Sequence, residues 1–334
     1  MTLQSRAAGA LYGLALGDAL GMPTQMLSRP HIVARYGPLL TGFHPADADH
    51  PLAAGMPAGT ITDDTEQALL LARLLVDGGG RIDAAELARR LVAWEDDMRA
   101  RGSLDLLGPS TKRAVEQVLA GVPVDEVGRF GTTNGAAMRI APVGIAVPAA
   151  DPAALVDRVV EADRLTHDTG VAHAGAAAVA AAVSAGVDGA SVPEAIEVGV
   201  SAARLGVERG HWVAAADVAE RIVWATGLVR GLPIGQVCDR VYALVGTSLA
   251  TQESVPAAFA MLAAGPDDPW RTVRLAASVG GDCDTIAAVA GAVAGACHGV
   301  DAFPADARDT LVRVNPRLDL DATAAALLAL RERS

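Results

Sequence analysis

Three features of the sequence predict an all-α fold, a compact orthogonal multi-helix bundle spanning residues 1–334 as a single domain. Few stretches alternate strictly between apolar and polar residues, as a half-buried strand would. Hydrophobic residues make up 51% of the chain and aromatics only 3%, so the apolar content is mostly Ala, Val and Leu, which suits closely packed helices. No long linker, repeat or low-complexity tail divides the helical segments, and a chain of 334 residues can bury a sizeable core.

The first predicted helix, about 5–20, carries or abuts Gly9, Gly13, Gly17 and Gly21 at every fourth position. These share one helix face and present bare backbone there, either for close packing against another helix or for the approach of a ligand. Asp18 sits beside the stripe near the helix end. The second helix, about 64–77, follows an acidic turn and is rich in Ala and Leu. Gly, Pro or Asp punctuation then separates helices at about 83–99, 109–120, 135–146 and 152–165. The segment at about 169–186 is Ala-rich but contains His173, and is too weakly hydrophobic to read as a membrane span. Helices at about 193–204, 212–229, 234–247, 254–263 and 269–279 lead to one at about 285–298. That helix has no polar face until His298 and so reads as buried. Helices at about 305–312 and 321–332 complete the order.

Charge and cysteine content narrow the function classes. A net charge of −12, with no Lys/Arg block or basic stripe, removes the electrostatic basis for nucleic-acid binding. Cys238, Cys283 and Cys297 are odd in number and lack metal-ligand or CxxC spacing, which points to a reduced, cytoplasmic chain. The run "RAAGALYGLALGDALG" is similar to the apolar part of a signal peptide, but Asp18 interrupts it and no convincing cleavage site follows. A soluble protein with no membrane partner is expected.

Two acidic helix entrances stand out. In "GTITDDTEQALLLARLL", residues 59–75, Asp63 and Asp64 open the second helix. One reading is capping, with Asp63 as N-cap and Glu66 three residues on as a variant capping box. In "SVGGDCDTIAAVAGAVAGACHG", residues 278–299, Asp282, Asp284 and Thr285 follow a Gly-Gly turn into the buried helix. Buried carboxylates are costly unless neutralised or paired, and Lys and Arg are scarce around both runs. A pair of divalent cations would balance Asp63, Asp64, Asp282 and Asp284, and oxygen donors suit hard ions such as Mg²⁺ or Mn²⁺. A central dinuclear metal site is the expectation. Cys283 is read as a packing residue, because a thiolate favours softer metals.

Five ordered motifs carry a family resemblance: "GALYGLALGDALGMPTQ", "TDDTEQALLLARLL", "TNGAAMRIAPVG", "LTHDT" and "GGDCDT". Over residues about 8–298 the chain resembles the ADP-ribosylglycohydrolase family, which includes dinitrogenase reductase-activating glycohydrolase and J1-crystallin. The resemblance implies an all-α hydrolase with two Mg²⁺ or Mn²⁺ ions that cleaves the anomeric bond of an ADP-ribosyl or related ribosyl substrate. It implies metal ligands at Thr62, Asp63, Asp64, Asp282, Asp284 and Thr285, with Asp284 as the bridge and Asp63, Asp64 and Asp284 at the catalytic centre. It also sets the loop Gly131 to Arg139 against the substrate through Asn134 and Gly135, with His167 at the pocket wall.

Two departures weaken the protein-linked ADP-ribose assignment. The family often has Glu seven residues after the Asp of "GDA"; here that position is Gln25, which cannot accept a proton as a carboxylate does. Thr132 and Thr133 stand where members that stack adenine carry an aromatic. Gln25 therefore motivates an alternative, an N-glycosidase acting on a small nucleoside-like glycoside. A second alternative is a non-catalytic binding or crystallin-like structural protein.

Overall fold

The computed structural model describes residues 1–103 and 107–333. Helices form α1 (Leu3–Gly21), α2 (Arg29–Tyr36), α3 (Asp63–Asp77), α4 (Ala84–Ala100), α5 (Pro109–Leu119), α6 (Gly135–Arg139), α7 (Ala141–Ala146), α8 (Pro152–His167) and α9 (Gly170–Val187). They continue with α10 (Val192–Gly206), α11 (Val218–Val229), α12 (Ile234–Arg240), α13 (Thr251–Ala264), α14 (Pro269–Ala277), α15 (Cys283–His298), α16 (Ala305–Val314) and α17 (Leu320–Arg331). Among the described residues there is no strand; extended backbone pairs only in isolated bridges, Leu27 with Gly281, Thr133 with Ala250 and Thr169 with His211.

The glycine stripe of α1 is a helix-packing surface. A methyl group added to Gly13 would stand 2.0 Å from the Gly291 carbonyl oxygen, and one on Gly17 would stand 2.1 Å from that of Ala287. Both contacts lie on α15, so the two backbones touch with no side chain between them. Adding that carbon costs about 1–3 kcal/mol where neighbours cannot yield, and backbone yields least. At the end of the stripe, Gly21 lies so close to Asp284 that an added carbon would fall 2.3 Å from the Asp284 Cα. The stripe thus carries the packing through to the second acidic entrance. Helix α9 is buried along its whole length, which marks it as a core helix.

Local chemistry explains where the helix boundaries depart from expectation. Helix α2 was not expected; Ser28 caps it and Pro30 fits its first turn, where no backbone N–H is needed. The predicted 135–146 segment divides into α6 and α7 around Ile140, with Pro142 in the first turn of the second piece. Helix α11 begins only at Val218, where the Asp217 carboxylate accepts from the Glu220 N–H. The 234–247 segment leaves α12 as a π-helical turn, Val241–Val245, and stops at Gly246, whose φ is +87°.

Candidate active site

Thr62, not Asp63, caps α3, and its side chain makes no capping bond to the helix. Its hydroxyl instead donates to Asp18 Oδ1 at 2.7 Å, and its N–H reaches both Asp18 oxygens at 3.0 Å. The Thr65 N–H donates to Asp18 Oδ2 at 3.1 Å, and the Thr65 hydroxyl bonds the same oxygen. Asp18 is fully buried on α1 and holds the whole acidic turn from behind. Glu66, the other half of the expected capping box, is engaged elsewhere: it accepts from Trp94 Nε1 at 2.6 Å and from Arg101 at 2.9 and 3.0 Å.

The α15 entrance is gripped differently. Asp282 caps the helix without a side-chain capping bond, and its Oδ2 accepts from Asn134 Nδ2 at 2.5 Å. The turn before it is strapped to the Gln25 segment, with Met26 N–H donating to the Gly281 carbonyl at 2.7 Å and Gly281 N–H to that of Leu27 at 2.8 Å. Gly281 has φ +77°, and a side chain there would also meet the Thr247 carbonyl oxygen at 2.3 Å. The Thr285 hydroxyl donates across to Asp64 Oδ2 at 3.2 Å, joining the two entrances.

Ordinary helix starts in the same chain behave otherwise. The side chains of Thr2, Ser28, Asp83, Asp151, Thr169, Asp217, Asp268 and Asp319 each accept a backbone N–H of their own helix. Thr62, Asn134 and Asp282 are equally capable caps that make no such bond, and all three meet at this site.

Burial drives the electrostatics. Asp64 is pushed well above the usual carboxylate range by desolvation first, then by the charges of Asp284, Asp63, Asp18 and Asp282. Desolvation lifts Asp282 to about 6 against the opposing bonds from Asn134 and Thr285, and lifts Asp18 to about 6 against those from Thr65 and Thr62. Among the described residues no three carboxylate, imidazole or thiol groups converge as a ready-made ion cage. What the two entrances bring together is a set of buried oxygen donors, Thr62, Asp64, Asp282 and Thr285, with Asp18 behind them.

The loop predicted to meet substrate forms the next wall. His167 is fully buried and is held far below its usual pKa by desolvation and then by Arg139 and His173, so its imidazole is neutral. Its Nε2 lies 3.0 Å from the Thr133 hydroxyl and its Nδ1 2.7 Å from that of Thr166. Gly135 lies against this ring, where an added carbon would stand 3.0 Å from Cε1. Gln25 is buried, and its backbone oxygen faces His50 Nε2 at 3.0 Å. Among the described residues no partner reaches its side-chain Nε2, and no side-chain hydrogen bond ties it to the aspartates.

Several contributors were not expected from sequence. Asp18 had one signal, a carboxylate inside an otherwise Gly, Ala and Leu helix. Gln67 had none, and Arg139 was marked only as the end of the loop expected to meet substrate. Arg139 Nη1 donates to Gln67 Oε1 at 3.1 Å, and Gln67 Nε2 donates to Asp63 Oδ2 at 2.9 Å. Phe130, just before the Gly131 loop, is 62% exposed with the Arg113 guanidinium 4.8 Å above its ring, so an aromatic stands beside the Thr132–Thr133 pair after all. A cavity of about 840 Å³ opens near Thr60, Ile61, Glu66, Trp94 and Arg101, but none of the four aspartates lines it.

The ADP-ribosylglycohydrolase family model matches residues 1–334. The chain belongs to the ADP-ribosylglycohydrolase family. It is therefore an enzyme, a hydrolase of glycosidic bonds. The hydrolase is 37% identical to the Escherichia coli (strain K12) protein YegU over 328 residues, 98% of this chain and 97% of that one. It is 28% identical to the Homo sapiens ADP-ribosylhydrolase ARH3, covering 90% of this chain and 87% of that one. A solved structure, an ADP-ribosylglycohydrolase-related protein complex, superposes with a TM-score of 0.70 at 27% identity and covers 98% of each chain.

Proposed function

We propose that this hydrolase cleaves the anomeric C1 bond of an ADP-ribosyl or related ribosyl substrate, using two divalent cations, Mg²⁺ or Mn²⁺, held between the α3 and α15 entrances. One observation carries the reading: Thr62, Asn134 and Asp282 forgo the capping bonds that comparable residues make elsewhere, at the place where buried aspartates gather. The donor set fits the ions. Asp64 Oδ1 is buried with no hydrogen-bond partner among the described residues, and the Thr62 hydroxyl gives its proton to Asp18, which leaves its oxygen lone pairs for a cation. Bound cations supply charge compensation and an acidified water.

The chain's own groups do the rest. Asp63, Asp64, Asp282 and Asp284 would hold the ions with Thr62 and Thr285, with Asp284 as the proposed shared ligand. Asn134 bonds Asp282 and opens α6, so it links the metal side to the substrate loop. Neutral His167 orients the Thr133 hydroxyl at the pocket wall. Hydrolysis of ADP-ribosylated arginine and serine peptides, measured after chelation and again with Mn²⁺ or Mg²⁺ restored, tests the proposal. Turnover is expected only with the cation, and unchanged turnover after verified metal removal would overturn it.

Gln25 supports a second reading, a smaller ribosyl or nucleoside-like glycoside as substrate. Its buried Nε2 offers a donor to a neutral acceptor, and such a pairing discriminates sharply because the wrong substrate leaves it bare. Release of ADP-ribose from protein at a rate equal to that on the best small glycoside would exclude this reading.

A further inference from the structure

Around Arg139 the buried polar atoms outnumber their partners. Arg139 Nε, both carboxylate oxygens of Asp163 and His173 Nδ1 are enclosed, and none of them has a hydrogen-bond partner among the described residues. The three residues are at most 1% exposed. They are also electrostatic neighbours: burial lifts the Asp163 carboxyl to about 6, and Arg139 and then His173 draw it partly back. Opposite charges buried this deeply would normally bond directly, yet Arg139 and Asp163 do not. Where several buried polar groups converge without touching, ordered water closes the gap.

Arg139 matters because of where its other nitrogens go. Nη1 donates to Gln67, which donates to Asp63 at the first acidic entrance. Nη2 donates to the Thr166 hydroxyl at 2.5 Å, and Thr166 bonds His167, which faces Thr133. One guanidinium thus ties the metal side of the pocket to the substrate loop. Its Nε has no hydrogen-bond partner among the described residues.

We propose that Asp163 is a positioning residue: through ordered water in this buried chamber it fixes the Arg139 guanidinium, and through Arg139 both walls of the active site. The proposed chamber lies among Arg139 of α6, Asp163 of α8 and His173 of α9, and His173 is itself tied down through Nε2, 3.0 Å from Asp168 Oδ1. The catalytic consequence rests on the function proposed above, whereas the hydration of the chamber does not.

Two measurements test the proposal. A high-resolution crystal structure of the wild-type chain should show ordered water bridging Asp163 to Arg139 Nε; a dry chamber or a direct Asp163–Arg139 ion pair would overturn it. In the metal-loaded enzyme, Asp163→Asn should lower kcat by about 10- to 100-fold on the best wild-type substrate, as loss of a supporting group does. KM and bound-metal content should change far less. A folded variant with wild-type kcat, or one whose lost activity follows lost metal, would overturn the positioning role. Should the variant fail to fold, the wild-type water structure decides. Should the wild type hydrolyse no glycoside, the proposed function fails while the crystallographic test of the chamber stands.

Discussion

The two acidic helix entrances carry similar residues but are gripped from opposite sides. The α3 entrance is held by scaffold: Asp18 of α1 accepts from the N–H and hydroxyl groups of Thr62 and Thr65. The α15 entrance is held from the side proposed to meet substrate, since Asp282 accepts from Asn134 at the start of α6. Helix α3 also has an outer side, where Glu66 pairs with Arg101, whereas α15 is buried from Cys283 to Cys297. Damage behind the first entrance should cost mainly stability, and damage beside the second mainly turnover.

Mutation of Asp284, the ligand proposed to be shared by both ions, removes the comparison altogether and has the largest expected effect. Asp284→Asn should lower turnover by roughly 1,000-fold, the scale of losing a principal electrostatic group. Metal analysis should find both cations gone while the helical far-UV signal persists; two retained ions would contradict the bridge.

A matched pair sharpens the contrast. Asp18→Asn should cost about 2–3 kcal/mol in urea unfolding, because a buried charged acceptor is exchanged for a group that cannot satisfy the same four donors. Asn134→Ala should stay within about 1 kcal/mol of wild type yet lose about 10- to 100-fold in kcat/KM. Equal destabilisation by both would erase the distinction.

Next comes pH. Asp18 and Asp282 sit near 6 in the folded chain against an ordinary value of 3.8, so folding favours their protonated forms. That stabilisation is complete below about 4 and is lost as pH rises through about 6. Metal-free protein should accordingly lose about 5 °C or more of Tm between pH 4 and pH 7. Saturating Mn²⁺ should flatten the profile, because a ligand of the native carboxylates adds stability as they ionise. A metal-free Tm that rises over this range would contradict the assignment. The smallest effect belongs to Gln25→Glu, which should shift the preference between ADP-ribosyl peptide and small glycoside by about tenfold with metals retained. An unchanged ratio would show that this side chain does not reach substrate.

Much of this was legible in the chain before folding. Helical periodicity, the four-residue glycine spacing and two acidic runs leading into apolar helices are local patterns, and local patterns survive in one dimension. The ordered motifs pointed to the family from residues alone. What the residues left open was whether each acidic entrance is capped by its own first side chain, and whether the glycine stripe packs against a helix or admits a ligand, because each pair of alternatives has the same local sequence. Those choices were made across space: Asp18 meets Thr62 across 44 residues, Arg139 meets Gln67 across 72, Asn134 meets Asp282 across 148 and Thr285 meets Asp64 across 221. A hydroxyl or carboxylate at a helix start bonds its own backbone unless a better partner arrives from elsewhere in the chain, and only the packed tertiary structure brings that partner to it.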